Sequence, residues 1–139
     1  MILEPKKIKS VTVSIVSPFK IKFPIIADLN TKVSTKYGML QPNVSSTQAV
    51  RAVFVIDPEG IIRSIVYYPL TTGRNFDEIK RMIKALQKSD ETHNSTPANW
   101  QPGDDLIVTT PVTVEEAEMA MNAEGQEVLD WFLRFKKDE

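Results

Sequence analysis

The sequence has no cysteine, and this absence excludes more chemistry than any other feature of its composition. The 139 residues include no cysteine and a single histidine. Disulfides, thiolate zinc sites and thiol nucleophiles are therefore excluded together. The histidine, His93, lies in a polar stretch, and one imidazole does not indicate a metal site. We expect neither a metal nor a catalytic thiol in this chain.

Three further absences narrow the class of protein. The 17 basic and 18 acidic residues nearly cancel and are scattered, which does not predict a nucleic-acid partner. No apolar run approaches the roughly 18 residues of a membrane span, and the first ten residues lack an apolar signal-peptide core. LTTGRN (70–75) has one glycine, too few to indicate a phosphate loop, so no cofactor is expected. The sequence predicts one soluble globular domain without nucleic-acid or membrane contacts, and the lack of disulfides fits the cytoplasm.

The strand pattern is clearest in the middle of the chain. The apolar segments 50–56 and 61–68 flank Asp57-Pro58-Glu59-Gly60, which has the residue order of a type I turn. This arrangement predicts a β-hairpin. Residues 10–16 alternate apolar and polar side chains, which indicates a half-buried strand. A short strand is also predicted at Ile21–Ala27.

Two helices are predicted from their capping residues. Asn30 can cap a helix that runs to Tyr37, where Gly38 would end it. Asn75 and Glu78 have the spacing of a capping box and would open a helix to about Lys88. Its apolar residues share one face and are expected to pack in a core: Phe76, Ile79, Met82, Ile83 and Leu86.

The C-terminal third of the chain has a polar part followed by an apolar part. Ser89–Pro111 is polar with three prolines, which predicts an extended arm. Thr113 and Glu116 are expected to cap a last helix to about Ala123. Val128–Phe135 is apolar and aromatic again. An apolar segment that follows a polar arm must be buried somewhere, and we expect a partner subunit to cover it.

Several long motifs carry a family resemblance. They are FPIIAD (23–28), KYGM (36–39), VRAVFVIDPEGIIRSIVYYPLTTGRN (50–75), TPANWQPGD (96–104) and LDWF (129–132). Together they resemble the C-terminal half of the one-cysteine peroxiredoxins of the AhpC/TSA family, most closely the archaeal and clostridial members. The resemblance implies an α/β, thioredoxin-like fold in truncated form, with a C-terminal arm that reaches across a dimer. It divides the chain into a divergent N-terminal segment (1–20), a partial core (21–90) and the arm (91–139).

The first twenty residues depart from the family pattern. In the family, a helix of a dozen or more residues separates the first strand from the segment that FPIIAD resembles. Ser17–Lys22 leaves no room for such a helix. Either the helix is deleted or residues 1–20 are unrelated sequence read from a displaced start. We favour the second explanation.

The resemblance also names the candidate site residues. A peroxiredoxin attacks peroxide with a thiolate, and a nearby guanidinium lowers the thiol pKa and stabilises the developing charge. Arg51 stands where the family keeps this arginine, and Arg74 matches a second arginine near the pocket. The ordinary alternatives are an arginine paired with a carboxylate at a strand start and a solvated loop arginine. The family's Pro-x-x-x-Thr-x-x-Cys loop is absent, and Val128 and Arg134 occupy positions where relatives carry cysteines.

Three hypotheses follow. The first is a degenerate or split peroxiredoxin that is inactive alone. The second is a non-catalytic assembly or regulatory module that pairs with itself or with intact peroxiredoxin subunits. The third is a gene remnant. Without the family's central strand, the apolar strand 50–56 would expose an edge, which favours an intertwined or domain-swapped homodimer, or a complex with an N-terminal fragment.

Overall fold

The computed structural model describes residues 23–41, 43 and 49–138. It forms two compact units, Met1–Ala52 and Val53–Glu139, which are described separately. The elements in chain order are α1 (Lys32–Lys36), β1 (Arg51–Ile56), β2 (Ile62–Tyr68), α2 (Phe76–Thr92), β3 (Leu106–Ile107), α3 (Val114–Ala120), β4 (Glu127–Asp130) and β5 (Leu133–Lys136). The strand predicted at residues 10–16 lies outside the described residues.

In the first unit, the start of α1 is held by Asp28. Its carboxylate accepts hydrogen bonds from the backbone N–H groups of Val33 (2.9 Å) and Ser34 (2.8 Å) and from the Ser34 hydroxyl (2.6 Å). The prediction that Asn30 caps this helix is wrong, because Thr31 is the N-cap residue. Asn30 Oδ1 accepts a longer bond from the Lys32 N–H (3.3 Å). Gly38 follows the helix in the left-handed region (φ +63°), as predicted.

The strand predicted at Ile21–Ala27 is wrong over its described part. Residues 23–27 are not in a strand. Pro24 has no N–H to donate to a ladder, and Asp28 has a positive φ of 42° that ends extended geometry. The proline and the positive φ at Asp28 therefore disfavour a strand, although the segment is apolar.

The predicted hairpin is confirmed. β1 and β2 are neighbours in one sheet, and the Asp57 N–H donates to the Ile61 carbonyl at 3.0 Å. The turn is closed by the Gly60 N–H on the Asp57 carbonyl (3.0 Å) and by the Ile61 N–H on the Asp57 carboxylate (2.8 Å). Gly60 adopts a φ of +83°, which only glycine reaches at low cost.

Helix α2 starts where predicted and ends later. The Asn75 side chain accepts hydrogen bonds from the N–H groups of Asp77 and Glu78, which confirms the N-cap. The helix continues past the predicted end at Lys88 to Thr92, because residues 89–92 contain neither proline nor glycine. His93 then takes a left-handed conformation (φ 56°). Of the predicted core face, Phe76 is 75% exposed, so its assignment to a core is wrong within this chain.

The segment that follows α2 pairs with β3 and packs against α2. Ser95 forms an antiparallel bridge with Ile107. Trp100 is 2% exposed and clusters with Ala85 of α2 and Leu106 of β3, while its indole N–H donates to the Asp104 carbonyl at 3.0 Å. A buried tryptophan removes roughly 150–250 Å² from water, on the order of 4–6 kcal/mol at about 25 cal/mol/Å². The first part of the arm is thus tied to α2.

The end of the chain folds into a small sheet. Thr113 and Glu116 form the predicted capping box of α3, which ends at Ala120 rather than near Ala123. The strand order is β3-β5-β4, with Leu106 opposite Lys136 and Val128 opposite Arg134. The side chains at the β4–β5 turn remain exposed in the single chain: Leu129, Trp131 and Phe132.

Candidate functional site

The two arginines predicted for the site lie in different units. Arg51 is the first residue of β1 and follows the buried Val50. Arg74 lies in the loop before Asn75, the N-cap of α2. Both are exposed, and both take part in a polar or electrostatic contact. The exposure of Arg51 means that its charge is hydrated and costs little at the start of an apolar strand. Its role in a peroxide site stays a prediction.

A second arginine network, which the sequence did not reveal, lies in the second unit. Arg63 of β2 donates two hydrogen bonds to the Asp90 carboxylate of α2, at 2.7 and 2.8 Å, and lies 3.7 Å from Asp57. These bonds lower the pKa of Asp90 and raise that of Arg63. The two parallel hydrogen bonds between the guanidinium and the carboxylate connect the hairpin to α2. Nothing in the sequence could have paired two residues 27 positions apart.

A third arginine joins α2 to the following segment. Arg81 donates to both oxygens of Glu78 (2.7 and 2.8 Å) and to the Trp100 carbonyl at 3.2 Å. The hydrogen bond from Arg81 lowers the pKa of Glu78. Glu78 thus holds Arg81 instead of completing the predicted capping box. The pair orients Arg81 toward the buried tryptophan, which is a structural role.

The two positions at which the family resemblance places cysteines, Val128 and Arg134, lie opposite each other across the β4–β5 hairpin. Val128 is half-buried, and its partner Arg134 is 7% exposed. Arg134 donates to the Thr109 carbonyl at 2.7 Å and to the Gln126 side-chain oxygen at 3.2 Å. Its Nε is buried and has no hydrogen-bond partner among the described residues. A guanidinium cannot donate an electron pair, so this pair of positions has no thiol chemistry in this chain.

Other chemistry receives no support from the part of the chain that the structure describes. Over residues 23–41, 43 and 49–138, no cluster of histidine and carboxylate side chains could hold a metal ion. Within the same residues no helix is both long enough and apolar enough to cross a membrane. The two candidate site residues are arginines, and neither can act as a nucleophile.

Comparisons with known proteins place the chain in a family. The sequence matches the AhpC/TSA family over residues 4–65 and the C-terminal domain of 1-Cys peroxiredoxin over residues 85–122. The chain belongs to the peroxiredoxins, and it corresponds to their C-terminal half. The first match includes residues 4–20, part of the segment expected to be divergent; the predicted domain boundaries themselves stay predictions.

Individual relatives agree with this assignment. The chain is 55% identical to a peroxiredoxin of Methanosarcina mazei over 121 residues, 86% of this chain and 55% of the relative. It is 48% identical to a peroxiredoxin of Thermotoga maritima over 122 residues, 85% of this chain and 56% of the relative. The chain therefore spans about half the length of the curated relatives that it matches.

Solved peroxiredoxin structures confirm the fold. A yeast mitochondrial 1-Cys peroxiredoxin superposes with a TM-score of 0.70 at 41% identity, covering 84% of this chain and 57% of the other. A mutant of the peroxiredoxin 6 of Arenicola marina gives a TM-score of 0.68 at 38% identity, covering 85% and 57%. The predicted α/β, thioredoxin-like fold is confirmed in the partial form that this chain supplies.

The Arg63–Asp90 pair predicts a specific dependence of stability on pH. A carboxyl whose pKa is lowered in the folded state stabilises it above the unfolded value of about 3.9, and this contribution is lost as the pH falls through the folded pKa. Asp90→Asn should therefore reduce the loss of unfolding free energy between about pH 5 and pH 2. Urea unfolding followed by circular dichroism measures it.

The matched control is Glu59→Gln, which alters an exposed carboxylate at the hairpin turn. This variant should keep the acid sensitivity of the unmodified protein. An Asp90→Asn variant that lost as much stability on acidification as the unmodified protein would show that the pair does not contribute.

Proposed function

We propose that this chain supplies the arginine-bearing part of a peroxiredoxin peroxide site and does not reduce peroxide by itself. The observation that carries the proposal is the combination of peroxiredoxin membership with a sequence that contains no cysteine. Thiol-dependent peroxide reduction needs a thiolate that attacks the O–O bond. A cysteine on another polypeptide segment would have to complete the site.

The proposed roles of the arginines follow from their chemistry. A guanidinium stays protonated at all physiological pH values and presents several N–H donors in a rigid plane. Near a thiol it lowers the pKa of the thiol, and near a peroxide it stabilises the charge on the departing oxygen. We assign these roles to Arg51 first and to Arg74 as its helper. Both are exposed, so both are accessible to a second segment.

We further propose that the chain self-associates through its C-terminal apolar surface, defined here as Leu129, Trp131 and Phe132. These side chains are 62%, 44% and 47% exposed in the single chain. Large apolar side chains grouped at one turn indicate an interface. Trp131 and Phe132 already stack edge to face with centroids 5.5 Å apart, so the surface is preorganised. The cytoplasm remains the expected location of this assembly.

The role of Arg51 can be tested by reconstitution. The chain would be mixed with the N-terminal portion of the Methanosarcina mazei peroxiredoxin that it does not cover, where the resemblance places the catalytic cysteine. Arg51→Gln should lower thiol-dependent peroxide consumption by the mixture about 100-fold or more, the range for a lost charge-stabilising donor. Hydrogen peroxide loss is measured with dithiothreitol as reductant.

Arg63→Gln is the matched control, because it removes an arginine that is committed to Asp90. It should leave the consumption rate near that of the unmodified mixture. If Arg51→Gln and Arg63→Gln reduced the rate equally, or if Arg51→Gln had no effect, the assigned role of Arg51 would be wrong.

The interface can be tested independently of any activity. Trp131→Glu places a charge on the C-terminal apolar surface and should shift the sedimentation of the purified chain from a dimer to a monomer, because an unpaired charge at an apolar interface is costly. Phe76→Glu, at a residue 75% exposed on α2, serves as the control. A monomeric unmodified chain, or equal effects of the two substitutions, would contradict this interface.

A further inference from the structure

Arg134 is a buried cation whose donors are only partly used. A guanidinium has five N–H donors. The structure shows bonds from two of its nitrogens, both to neutral oxygens, on Thr109 and Gln126. Its Nε has no hydrogen-bond partner in the part of the chain that the structure describes. Arg134 is 7% exposed, and among the residues that the structure describes no carboxylate lies within ion-pair distance of it. A buried charge without a counterion is costly, which indicates that an anion would stabilise it.

An open groove of about 470 Å³ lies beside this arginine. Its polar lining residues include Arg134 and Glu116, and its apolar lining residues include Val112 and Met119. These two apolar side chains are 90% and 67% exposed, so the groove is accessible in the single chain. The groove therefore combines the Arg134 cation with an apolar wall.

One acidic side chain, Glu116, also lines the groove, but it is already committed. Its Oε2 accepts hydrogen bonds from the N–H groups of Val112 (3.0 Å) and Thr113 (3.4 Å), as part of the capping box of α3. The partial positive charge at this helix start further compensates the carboxylate. Glu116 therefore does not serve as the counterion of Arg134, to which it makes no ion pair.

We propose that this groove binds a small amphipathic monocarboxylate, whose carboxylate pairs with Arg134 and whose short hydrocarbon chain lies against Val112 and Met119. Charge complementarity selects the carboxylate, and the apolar wall selects the chain. The size of the groove, about 470 Å³, falls within the range of about 300–1,000 Å³ typical of small-molecule sites. The proposal does not depend on the peroxide site, because no residue of the groove belongs to it.

Octanoate is the probe, and octanol is its uncharged counterpart. Binding is followed in the full chain by NMR, through the methyl signals of Val112, Ala120 and Ala123, which line the groove. Octanoate should shift these signals saturably, with an affinity about tenfold or more above that of octanol, since hydrogen bonds to charged groups are the stronger ones. Equal affinity for both probes, or no shift with octanoate up to millimolar concentration, would overturn the proposal.

A matched pair of exposed methionines, Met119 and Met121, tests the location of the site. Met119→Glu puts a negative charge in the groove and should weaken octanoate binding about tenfold or more. Met121→Glu changes an exposed methionine two residues away that is not among the groove residues, and binding should stay within about twofold. Arg134→Gln should abolish the preference for octanoate over octanol. Equal weakening by the two glutamates would overturn the assigned site.

Discussion

The burial of Trp100 between α2 and β3 is the contact on which the C-terminal region depends. The indole occupies the only described cluster of buried apolar residues, with Ala85 and Leu106. The indole N–H donates to the Asp104 carbonyl, so the side chain is buried without leaving its polar group unpaired. The backbone carbonyl of Trp100 accepts a hydrogen bond from Arg81. Through this residue, a polar segment with several prolines becomes part of the fold and leads the chain to the β3-β5-β4 sheet.

The arginines of the chain differ in their burial and in their partners. Arg63 pairs with Asp90 and holds the hairpin to α2. Arg81 pairs with Glu78 within α2 and donates to the Trp100 carbonyl of the following segment. Arg134 differs from them because it is buried and bonded only to neutral oxygens. Arg51 and Arg74, which the family resemblance assigns to peroxide chemistry, are exposed. The same residue type thus serves structure in one part of the chain and is accessible to a ligand or a second segment in another.

Local chemistry made part of this structure predictable. The Asp57-to-Gly60 hairpin, the Asn75 cap and the Thr113–Glu116 capping box follow from residues a few positions apart, and all three are present. The Asp28 cap was missed because a carboxylate five and six residues from its donors lies outside the usual capping spacing. Long-range pairs such as Arg63–Asp90 depend on tertiary packing. The buried position of Arg134 was hidden because LRFK shows no sign that its arginine faces inward.

The family assignment supports the proposal that this chain contributes arginines, and no thiol, to a peroxide site, and it does not favour a purely non-catalytic assembly module. The most direct measurement is hydrogen peroxide consumption by the purified chain alone with dithiothreitol. The account predicts a rate equal to that of buffer with dithiothreitol, because no residue of the chain can act as the thiolate. Saturable, protein-dependent consumption that survives removal of contaminating thiol proteins would contradict it.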